Sequence, residues 1–277
     1  MISPLTKLGI VAGAGAMPLQ IAHACDRSRR AYHIIAVDEF ADPMAASIPH
    51  TRVPISKIGA SIAALKRNEC KDVVFAGKLE RPNGVNIKLR PDWGGLVFLV
   101  RYFGVLRRHD DGIHRAIADM FARHGLHVVS PLDVMPELAA KEGSLTHIKP
   151  SDVAKASFQT ALKLAKQHGA TKAGQAVVVH NGAVIAREGR AGTDAMLAAL
   201  ERLSDPGALL VKAMTPNQLP TIDPPAIGES TVVNAAKAGL AGILIEAGRS
   251  VVVDEDRVRA RADELGIFVY ADRADGP

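Results

Sequence analysis

Short apolar runs alternate with helix-like stretches through the first half of the chain. The runs are Leu8–Ala12, His33–Val37, Asp72–Phe75 and Leu126–Val129, and the helix-like stretches between them are Met17–Arg27, Ile58–Arg67 and Asp111–His124. Strands that alternate with helices in this way form parallel sheets with the helices packed on their faces. We therefore expect an N-terminal Rossmann-like α/β domain with a parallel sheet, which we place at residues 1–133.

A polar connection rich in proline follows this pattern. Pro131, Pro136 and Pro150 interrupt the chain before the helical periodicity resumes. We assign residues 134–150 to a linker and residues 151–277 to a second domain. A chain of 277 residues is long enough for two domains of ordinary size.

The second half contains a predicted hairpin. Its arms are Gln175–Val179 and Ala183–Ala186, and the Asn181-Gly182 pair between them suits a two-residue type I′ turn. The other predicted elements are a helix over Ser151–Gln167, a helix from Thr193, a strand over Ala208–Lys212, a helix over Ser230–Lys237, a strand over Ile243–Ile245, a second hairpin arm at Ser250–Val253, a helix over Asp254–Leu265 and a strand over Ile267–Val269. Because a hairpin is combined with strand–helix alternation, we expect a C-terminal mixed-sheet α/β domain.

Composition narrows the class of function. Hydrophobic residues make up 48% and charged residues 23% of the chain, which is typical of a globular fold. Aromatic residues make up only 4%, with one tryptophan, and this argues against a nucleic-acid platform of exposed rings. The net charge of +5 favours phosphate-bearing or membrane-surface partners without choosing between them. Cys25 and Cys70 form no CxxC pair, so we expect a reducing cytosol and neither a disulfide framework nor a zinc site.

The apolar stretch Leu8–Ala22 could be mistaken for a secretion signal. Gly13, Gly15 and Pro18 interrupt it, and a strand that turns into a helix explains it better. No run reaches the roughly 18 apolar residues of a membrane span. We therefore expect a cytoplasmic protein, with peripheral contact at a membrane left open.

The Gly13-Ala14-Gly15 turn lies where the first strand leads into the first helix, and free N–H groups there can hold a phosphate. The dinucleotide fingerprint has glycine where this chain has Pro18, although Asp38 at the end of the second strand could serve as the ribose-binding acid. Three interpretations stay open at this point: a phosphate site, an NAD(P)-linked oxidoreductase, and a tight turn needed only for packing.

The Gly77-Lys78 pair follows the strand Asp72–Phe75, so Lys78 is expected at the carboxyl edge of the sheet beside the glycine-rich turn. Arg81-Pro82 extends the same loop. Two cations here suit a pyrophosphate, and a solvated loop with ordinary surface charges is the alternative.

One segment, Trp93–Arg108, gathers the single tryptophan with other aromatic and aliphatic residues. Arg90 and Arg107-Arg108 flank it. Within it, Leu96–Leu106 is typical of an element that binds acyl chains or a membrane interface, and a buried core helix would look similar.

Two polar groups stand out in the second half. Gly192-Thr193-Asp194 opens a helix, where Thr193 or Asp194 could act as the cap or contact a ligand. Lys212 ends a strand, and Asp223 follows in a loop that prolines stiffen. A carboxylate held in this way suits metal binding or activation of water, and a turn residue is the alternative.

Several segments of the chain, taken in order, resemble one family. They are Gly9–Pro18, Phe75–Lys78 with Arg81-Pro82, Gly174–Val179, Gly192–Leu197, Thr221–Gly228 and Ala238–Gly242. These segments are similar to the UDP-2,3-diacylglucosamine pyrophosphatases of lipid A synthesis, in the form unrelated to calcineurin-like phosphoesterases. The Asp-x-His and Gly-Asn-His-Asp motifs of the calcineurin-like enzymes are missing among the 10 histidines of this chain.

The resemblance implies a two-domain cytosolic enzyme that uses Mg²⁺ to hydrolyse the pyrophosphate of UDP-2,3-diacylglucosamine. Water attacks the phosphorus attached to uridine, and the products are UMP and 2,3-diacylglucosamine 1-phosphate (lipid X). We expect Asp223 to orient water or hold the metal ion and Lys212 to neutralise charge. The expected substrate-binding residues are Gly13, Ala14, Gly15, Gly77, Lys78, Gln175, Gly192, Thr193 and Asp194.

Two alternatives come from other classes. An NAD(P)-linked oxidoreductase would use the glycine-rich turn and Asp38, and a non-catalytic lipid or nucleotide carrier would use the aromatic segment. The expected partners are the lipid substrate, lipid X and, transiently, a membrane surface, with no nucleic acid. A homodimer is compatible with the sequence.

Overall fold

The computed structural model describes residues 6–78, 90–106, 110–171, 173–189, 191–200, 202–203, 207–214 and 224–274. Within these ranges the chain divides into two compact units between Pro136 and Glu137. The first unit is built around a parallel sheet and the second around a mixed sheet, so the predicted α/β class is confirmed. No helix in the described ranges has the length and apolar character needed to cross a membrane.

The first unit alternates strands and helices. Its elements are β1 (Leu8–Ala12), α1 (Met17–Ser28), β2 (Tyr32–Val37), β3 (His50–Val53), α2 (Ile58–Arg67), β4 (Asp72–Ala76), α3 (Trp93–Leu106), α4 (Asp110–Arg123), β5 (His127–Val129) and α5 (Pro131–Val134). The strands lie in the order β3-β2-β1-β4-β5, and every neighbouring pair is parallel. The Rossmann-like prediction is confirmed, although the edge strand β3 was not predicted from the sequence.

Helices cover both faces of this sheet. Along β1, Leu8 and Ile10 belong to a cluster with Ile21 of α1, whereas Val11 belongs to a second cluster with Leu65 of α2. Every residue of β1 and β4 is buried. A parallel strand covered on both sides needs apolar residues at successive positions, which explains the continuous runs in the sequence.

The second unit contains a six-stranded sheet. Its elements are β6 (Gly143–Ser144), α6 (Asp152–Ala156), α7 (Phe158–Ala170), β7 (Ala176–His180), β8 (Ala183–Arg187), α8 (Gly192–Ala198), β9 (Leu209–Lys212), β10 (Ala226–Ile227), α9 (Glu229–Lys237), β11 (Gly242–Glu246), β12 (Val251–Val252), α10 (Glu255–Leu265) and β13 (Phe268–Asp272). The order is β6-β13-β11-β9-β7-β8. The three strands β9, β11 and β13 are parallel, whereas β6, β7 and β8 pair in the antiparallel sense, so the mixed sheet is confirmed.

The two hairpin predictions have opposite outcomes. Asn181 and Gly182 have φ angles of 50° and 74°, so both adopt the positive φ that a type I′ turn requires, and the β7–β8 hairpin is confirmed. The prediction of a second hairpin arm at Ser250–Val253 is wrong. Val251-Val252 pairs in parallel with Ala226-Ile227, because α9 and β11 intervene and form a crossover connection.

Two further segments differ in detail from the prediction. The helix expected over Ser151–Gln167 is two helices, α6 and α7, which are separated at Ser157. Residues 137–150, within the stretch assigned to a linker, belong to the second unit. There Gly143-Ser144 pairs with Tyr270-Ala271 and forms the edge of the six-stranded sheet.

Candidate functional site

Two loops meet at the carboxyl ends of β1 and β4, the central strands of the first unit. The chain runs outward from β1 to β3 and then returns to β4, and ligands of open α/β sheets bind at this change of direction. The Gly13 N–H donates to the Ala76 carbonyl at 2.9 Å, and Ala14 and Lys78 exchange two backbone hydrogen bonds of 2.9 Å. The structure therefore brings the glycine-rich turn and the Lys78 loop together, as expected.

The N–H groups of the glycine-rich turn all have acceptors within the chain. Those of Gly13 and Ala14 are used in the contacts above, and the Gly15 N–H donates to Oδ2 of Asp42 at 2.8 Å. A carboxylate thus occupies the place that a phosphate oxygen would take at the start of α1. A phosphate at this turn would have to replace Asp42, and the substrate-binding role of Gly13, Ala14 and Gly15 stays a prediction.

Asp38, the candidate ribose-binding acid, is paired with a cation. Arg52 donates from Nε to Oδ1 of Asp38 at 2.9 Å and from Nη2 to its backbone carbonyl at 3.2 Å. The carboxylate that a dinucleotide-binding domain offers to a ribose hydroxyl is therefore engaged by a neighbouring strand.

A buried cation, Lys212, lies at the carboxyl end of β9 in the second unit. Lys212 is only 6% exposed. Its Nζ donates to Oγ1 of Thr193 at 3.2 Å and to the Ala226 carbonyl at 3.0 Å. A buried ammonium group needs such acceptors, because it has lost its contacts with water. Residues from α8 and β10 therefore converge on the end of β9.

Glu188 lies behind Thr193 and completes a chain of polar contacts. The Thr193 hydroxyl donates to Oε1 of Glu188 at 2.7 Å, and the backbone N–H groups of Gln175 and Ala176 donate to Oε2 at 2.7 and 2.9 Å. Glu188 is 8% exposed. We call Glu188, Thr193 and Lys212 the Lys212 network. It links a buried anion to a buried cation through one hydroxyl group.

Sequence reasoning missed Glu188 and misjudged what its neighbours do. Neither Thr193 nor Asp194 caps α8, since the Thr193 hydroxyl binds Glu188 and Asp194 accepts from Nδ2 of Asn234 at 2.9 Å. Gln175, expected at the substrate, uses its backbone N–H to hold Glu188. Gly192 has a φ of 86° at the start of α8, a conformation that favours glycine. Its role toward substrate, like that of Gln175, stays a prediction.

The remaining predicted site residues are placed as follows. Lys78 is exposed at the edge of the first unit's sheet. Asp223 and Arg81-Pro82 lie outside the described residues, so their predicted roles are untested. The Ala226 carbonyl that binds Lys212 belongs to a residue three positions after Asp223 in the chain.

The described residues do not assemble a metal site. No group of three or more histidine, cysteine, aspartate or glutamate side chains within the described ranges is arranged to hold a metal ion. The buried carboxylates of the second unit have other partners. Glu188 binds the donors given above, and Glu246 accepts from the Met214 N–H at 2.8 Å and pairs with Nζ of Lys166 at 3.3 Å. The Mg²⁺ prediction therefore still depends on Asp223.

Helix α3 has both a buried and an exposed side. Phe98 is 6% exposed and lies in a core cluster, whereas Trp93 and Val100 are 78% and 73% exposed and Leu96 is 44% exposed. Residues three and seven positions apart share one face of a helix, so Trp93, Leu96 and Val100 form an apolar stripe. We call this set the α3 stripe. The described part of the aromatic segment is therefore neither wholly core nor wholly surface.

A single carboxylate fixes the start of α3. Asp92 accepts from the Gly95 N–H at 2.7 Å, as a residue that caps a helix does, and also from the Ala60 N–H of α2 at 2.7 Å. Gly59 and Gly94 allow the two helices to approach, since a Cβ built on Gly94 would lie 2.6 Å from the Gly59 Cα. Trp93 is thus exposed on a firmly anchored helix.

The two cysteines are free and buried. Burial raises the pKa of the Cys70 thiol to about 11, with a smaller opposing effect from Lys7. Burial also raises the pKa of Cys25, although Arg30 opposes the shift. Neither thiol is suited to act as a nucleophile near neutral pH.

Fold and contacts together define a two-unit α/β protein with a Rossmann-like first unit and a buried cationic centre in the second. Family models cover both units: the LpxI N-terminal domain matches residues 7–138, and the LpxI C-terminal domain matches residues 141–270. The chain is also 38% identical over 276 residues to "UDP-2,3-diacylglucosamine pyrophosphatase LpxI" of Caulobacter vibrioides, covering 96% of this chain and 97% of that protein. The chain belongs to the LpxI family, and the resemblance stated from the sequence is confirmed.

Two solved structures align with most of the chain at low similarity. One is "CobK precorrin-6A reductase", with a TM-score of 0.31 and 12% identity over 99% of this chain and 90% of that one. The other is a "putative NAD-dependent epimerase/dehydratase" from Methylobacillus flagellatus, with a TM-score of 0.28 and 11% identity over 99% of this chain and 86% of that one.

Proposed function

We propose that this chain is a UDP-2,3-diacylglucosamine pyrophosphatase of lipid A biosynthesis, a hydrolase. The observation that carries the proposal is the match to the Caulobacter vibrioides pyrophosphatase over 96% of the chain, together with both LpxI domain models. In the reaction, a water oxygen forms a bond to the uridine-side phosphorus and the bond from that phosphorus to the bridging oxygen breaks. The products are UMP and 2,3-diacylglucosamine 1-phosphate.

Lys212 supports this chemistry as the group that neutralises charge on the phosphoryl oxygens. An ammonium group has three donors, and within the described residues two of them are used on Thr193 and Ala226. We assign the third to a phosphoryl oxygen of the substrate. Because Lys212 is buried, its charge acts where water screens it little, and its effect on a phosphoryl oxygen is correspondingly strong.

Asp223 and Mg²⁺ complete the proposal for the chemical step. We propose that the Asp223 carboxylate orients or activates the attacking water, or holds the metal ion. Support comes from its position in the sequence, three residues before Ala226, whose carbonyl binds Lys212. Mg²⁺, when bound, supplies positive charge to the phosphoryl oxygens. Lys78 and the remaining predicted binding residues are proposed contacts for the nucleotide or the phosphates.

The oxidoreductase alternative has less support. Asp38 accepts a hydrogen bond from Arg52, and the Gly15 N–H donates to Asp42. Two groups that would bind a dinucleotide are therefore already engaged within the chain. A carrier would bind the lipid substrate without turning it over. Turnover therefore separates the carrier from the enzyme, and bound-cofactor absorbance in the purified protein would favour the oxidoreductase.

We further propose that the enzyme acts in the cytoplasm and contacts the inner membrane surface, from which it takes its lipid substrate. Support comes from the α3 stripe, an exposed apolar face on an anchored helix, with the exposed residues Arg90 and Arg101 nearby in sequence. Apolar residues combined with cations favour an anionic lipid surface. A homodimer stays a prediction, which sedimentation equilibrium would test.

The test of the function is a single incubation. Purified protein is mixed with UDP-2,3-diacylglucosamine and Mg²⁺, and UMP and lipid X are quantified by mass spectrometry. In ¹⁸O-labelled water, attack at the uridine-side phosphorus predicts that the label enters UMP and not lipid X. Stoichiometric binding without products would support the carrier, and label in lipid X would contradict the proposed site of attack. Chelation followed by return of Mg²⁺ tests the metal requirement.

A further inference from the structure

We infer that Glu188 is a positioning residue for Lys212 and acts through the Thr193 hydroxyl. This inference rests on the proposed function, because it takes Lys212 to be the group that meets a phosphoryl oxygen. Glu188 is buried and has no direct hydrogen bond to Lys212 among its described contacts. Among its described contacts, the Thr193 hydroxyl is the one that also binds the Lys212 ammonium group.

Hydrogen-bond donors face both side-chain oxygens of Glu188. Both of its oxygens accept hydrogen bonds: Oε2 from the backbone N–H groups of Gln175 and Ala176, and Oε1 from the Thr193 hydroxyl. An amide at this position would keep the backbone contacts only with its oxygen on the two N–H groups, and its NH₂ group would then donate to Thr193, so the Thr193 hydroxyl would no longer donate to residue 188. A residue whose only function was to fill space would not need acceptors on both oxygens.

The carboxylate determines how the Thr193 hydroxyl is oriented. A hydroxyl group has one proton, and here the proton is directed to Oε1 of Glu188 at 2.7 Å. The lone pairs of Oγ1 are therefore turned to Nζ of Lys212, which donates to them at 3.2 Å. Together with the Ala226 carbonyl at 3.0 Å, this acceptor fixes two of the three donors of the ammonium group. The direction of the third donor is then determined.

The backbone around Glu188 keeps the carboxylate in place. A Cβ built on Gly174 would lie 2.7 Å from the Cβ of Glu188 and 2.9 Å from its carbonyl oxygen, so the chain passes Glu188 in close contact. Nε2 of His168 binds the same carbonyl oxygen at 2.8 Å. Glu188 is therefore held on its backbone and on both carboxylate oxygens, as expected of a group that positions another.

The first experiment compares substitutions at Thr193. Thr193→Val removes the hydroxyl at nearly constant volume and should lower kcat per folded molecule about 10- to 100-fold, the effect expected for losing a hydrogen bond to a charged group. Thr193→Ser keeps the hydroxyl and should stay within about threefold of the wild type. Equal losses in both variants, or wild-type kcat in Thr193→Val, would overturn the inference.

The matched control is Thr146→Val. Thr146 is 6% exposed, and its hydroxyl also donates and accepts, to the Ile148 carbonyl at 2.7 Å and from the Val269 N–H at 3.1 Å. It lies by β6, at the opposite edge of the sheet from β8. This variant should lose thermal stability but keep its kcat per folded molecule. A comparable loss of kcat per folded molecule in Thr146→Val would show that losing any buried threonine hydroxyl impairs turnover, which would overturn the specific role of Thr193.

A double substitution tests whether Glu188 and Thr193 act together. Glu188→Gln should lower kcat to a similar extent as Thr193→Val, and the double variant should be no worse than the more impaired single variant, because both break the same connection. Multiplied effects in the double variant would mean that Glu188 acts independently of Thr193, which contradicts the inference.

A second readout does not depend on turnover. In protein with ¹⁵N-labelled lysine, the ammonium resonance of Lys212, identified by its loss in Lys212→Met, should be protected from solvent exchange. Thr193→Val and Glu188→Gln should remove this protection, whereas Thr193→Ser and Thr146→Val should keep it. The two proposals can fail separately. The proposed function would fail if wild-type protein released no UMP, and the positioning role would fail if the protection were unchanged in Thr193→Val.

Discussion

Gly77 lies so close to Ala14 that a Cβ built on Gly77 would be 2.5 Å from the Ala14 carbonyl oxygen. The contact joins the loop after β4 to the loop after β1, and the paired backbone hydrogen bonds of Ala14 and Lys78 lie beside it. The two loops follow β1 and β4, neighbouring strands in the middle of the sheet. The contact therefore fixes the position of the backbone that carries Lys78.

Gly77→Ala should destabilise the protein by about 2 kcal/mol or more. Gly77 has a φ of 86°, which strains any residue with a Cβ, and the close contact adds to that strain. Gly125→Ala is the control, because Gly125 has a φ of 76° and a Cβ added there would meet no atom within 4 Å, so about 1 kcal/mol is expected. Urea unfolding followed by circular dichroism measures both. Equal losses would show that the Ala14 contact adds no strain.

Asp223→Ala should lower UMP release about a hundredfold or more while the melting temperature stays near that of the wild type. Loss of a group that transfers a proton or holds a metal ion has an effect of this size. Asp256→Ala is the control, since the Asp256 side chain is 92% exposed on α10, and it should keep its activity. A folded Asp223→Ala enzyme with wild-type turnover would exclude the catalytic role and favour a turn residue.

The α3 stripe should insert into anionic membranes. Addition of phosphatidylglycerol vesicles should shift the emission of Trp93, the single tryptophan, to shorter wavelength as the indole leaves water. Leu96→Asp should abolish the shift, because it places a charge within the stripe. Val153→Asp is the control, since Val153 is 84% exposed on α6, outside the stripe. Loss of the shift in both variants, or no shift in the wild type, would argue against insertion at α3.

Both thiols should be inert in the folded protein at pH 8. The pKa of Cys70 is raised to about 11 and that of Cys25 is also raised, in each case mainly by burial. A raised pKa lowers the fraction of reactive thiolate, which for Cys70 is about a thousandth at this pH. A chromogenic aromatic disulfide should therefore react with both cysteines only after urea unfolds the protein. Immediate reaction of one equivalent without urea would contradict the burial of that thiol.

Elements whose burial is uniform could be predicted from the sequence, whereas those that depend on distant partners were missed. β1 and β4 were evident because parallel strands covered on both faces need continuous apolar residues. β3 was missed because it is an edge strand, and His50, Thr51 and Arg52 along it are not fully buried. The parallel partner of Val251-Val252 was missed because no local pattern indicates which distant segment a strand will join.

The candidate site was predictable to a similar extent. Lys212 and Thr193 could be predicted as site residues because Lys212 lies at the end of a strand and Thr193 at the start of a helix, where ligands commonly bind. Glu188 carried no such signal, because its importance comes from the approach of Gln175 and Ala176, which only the fold brings about. The contact between Gly15 and Asp42 was equally hidden, since the turn itself is typical of a phosphate site.

The exposure of Trp93 determines which optical signals can follow unfolding of this protein. Its indole is the only one in the chain and is already 78% exposed in the native state, so unfolding transfers it from one aqueous environment to another. During thermal or chemical unfolding, the intrinsic tryptophan emission would therefore change little even as the hydrophobic cores of both units are lost. Far-ultraviolet circular dichroism, which registers the loss of helices in both units, is the signal that would report their unfolding.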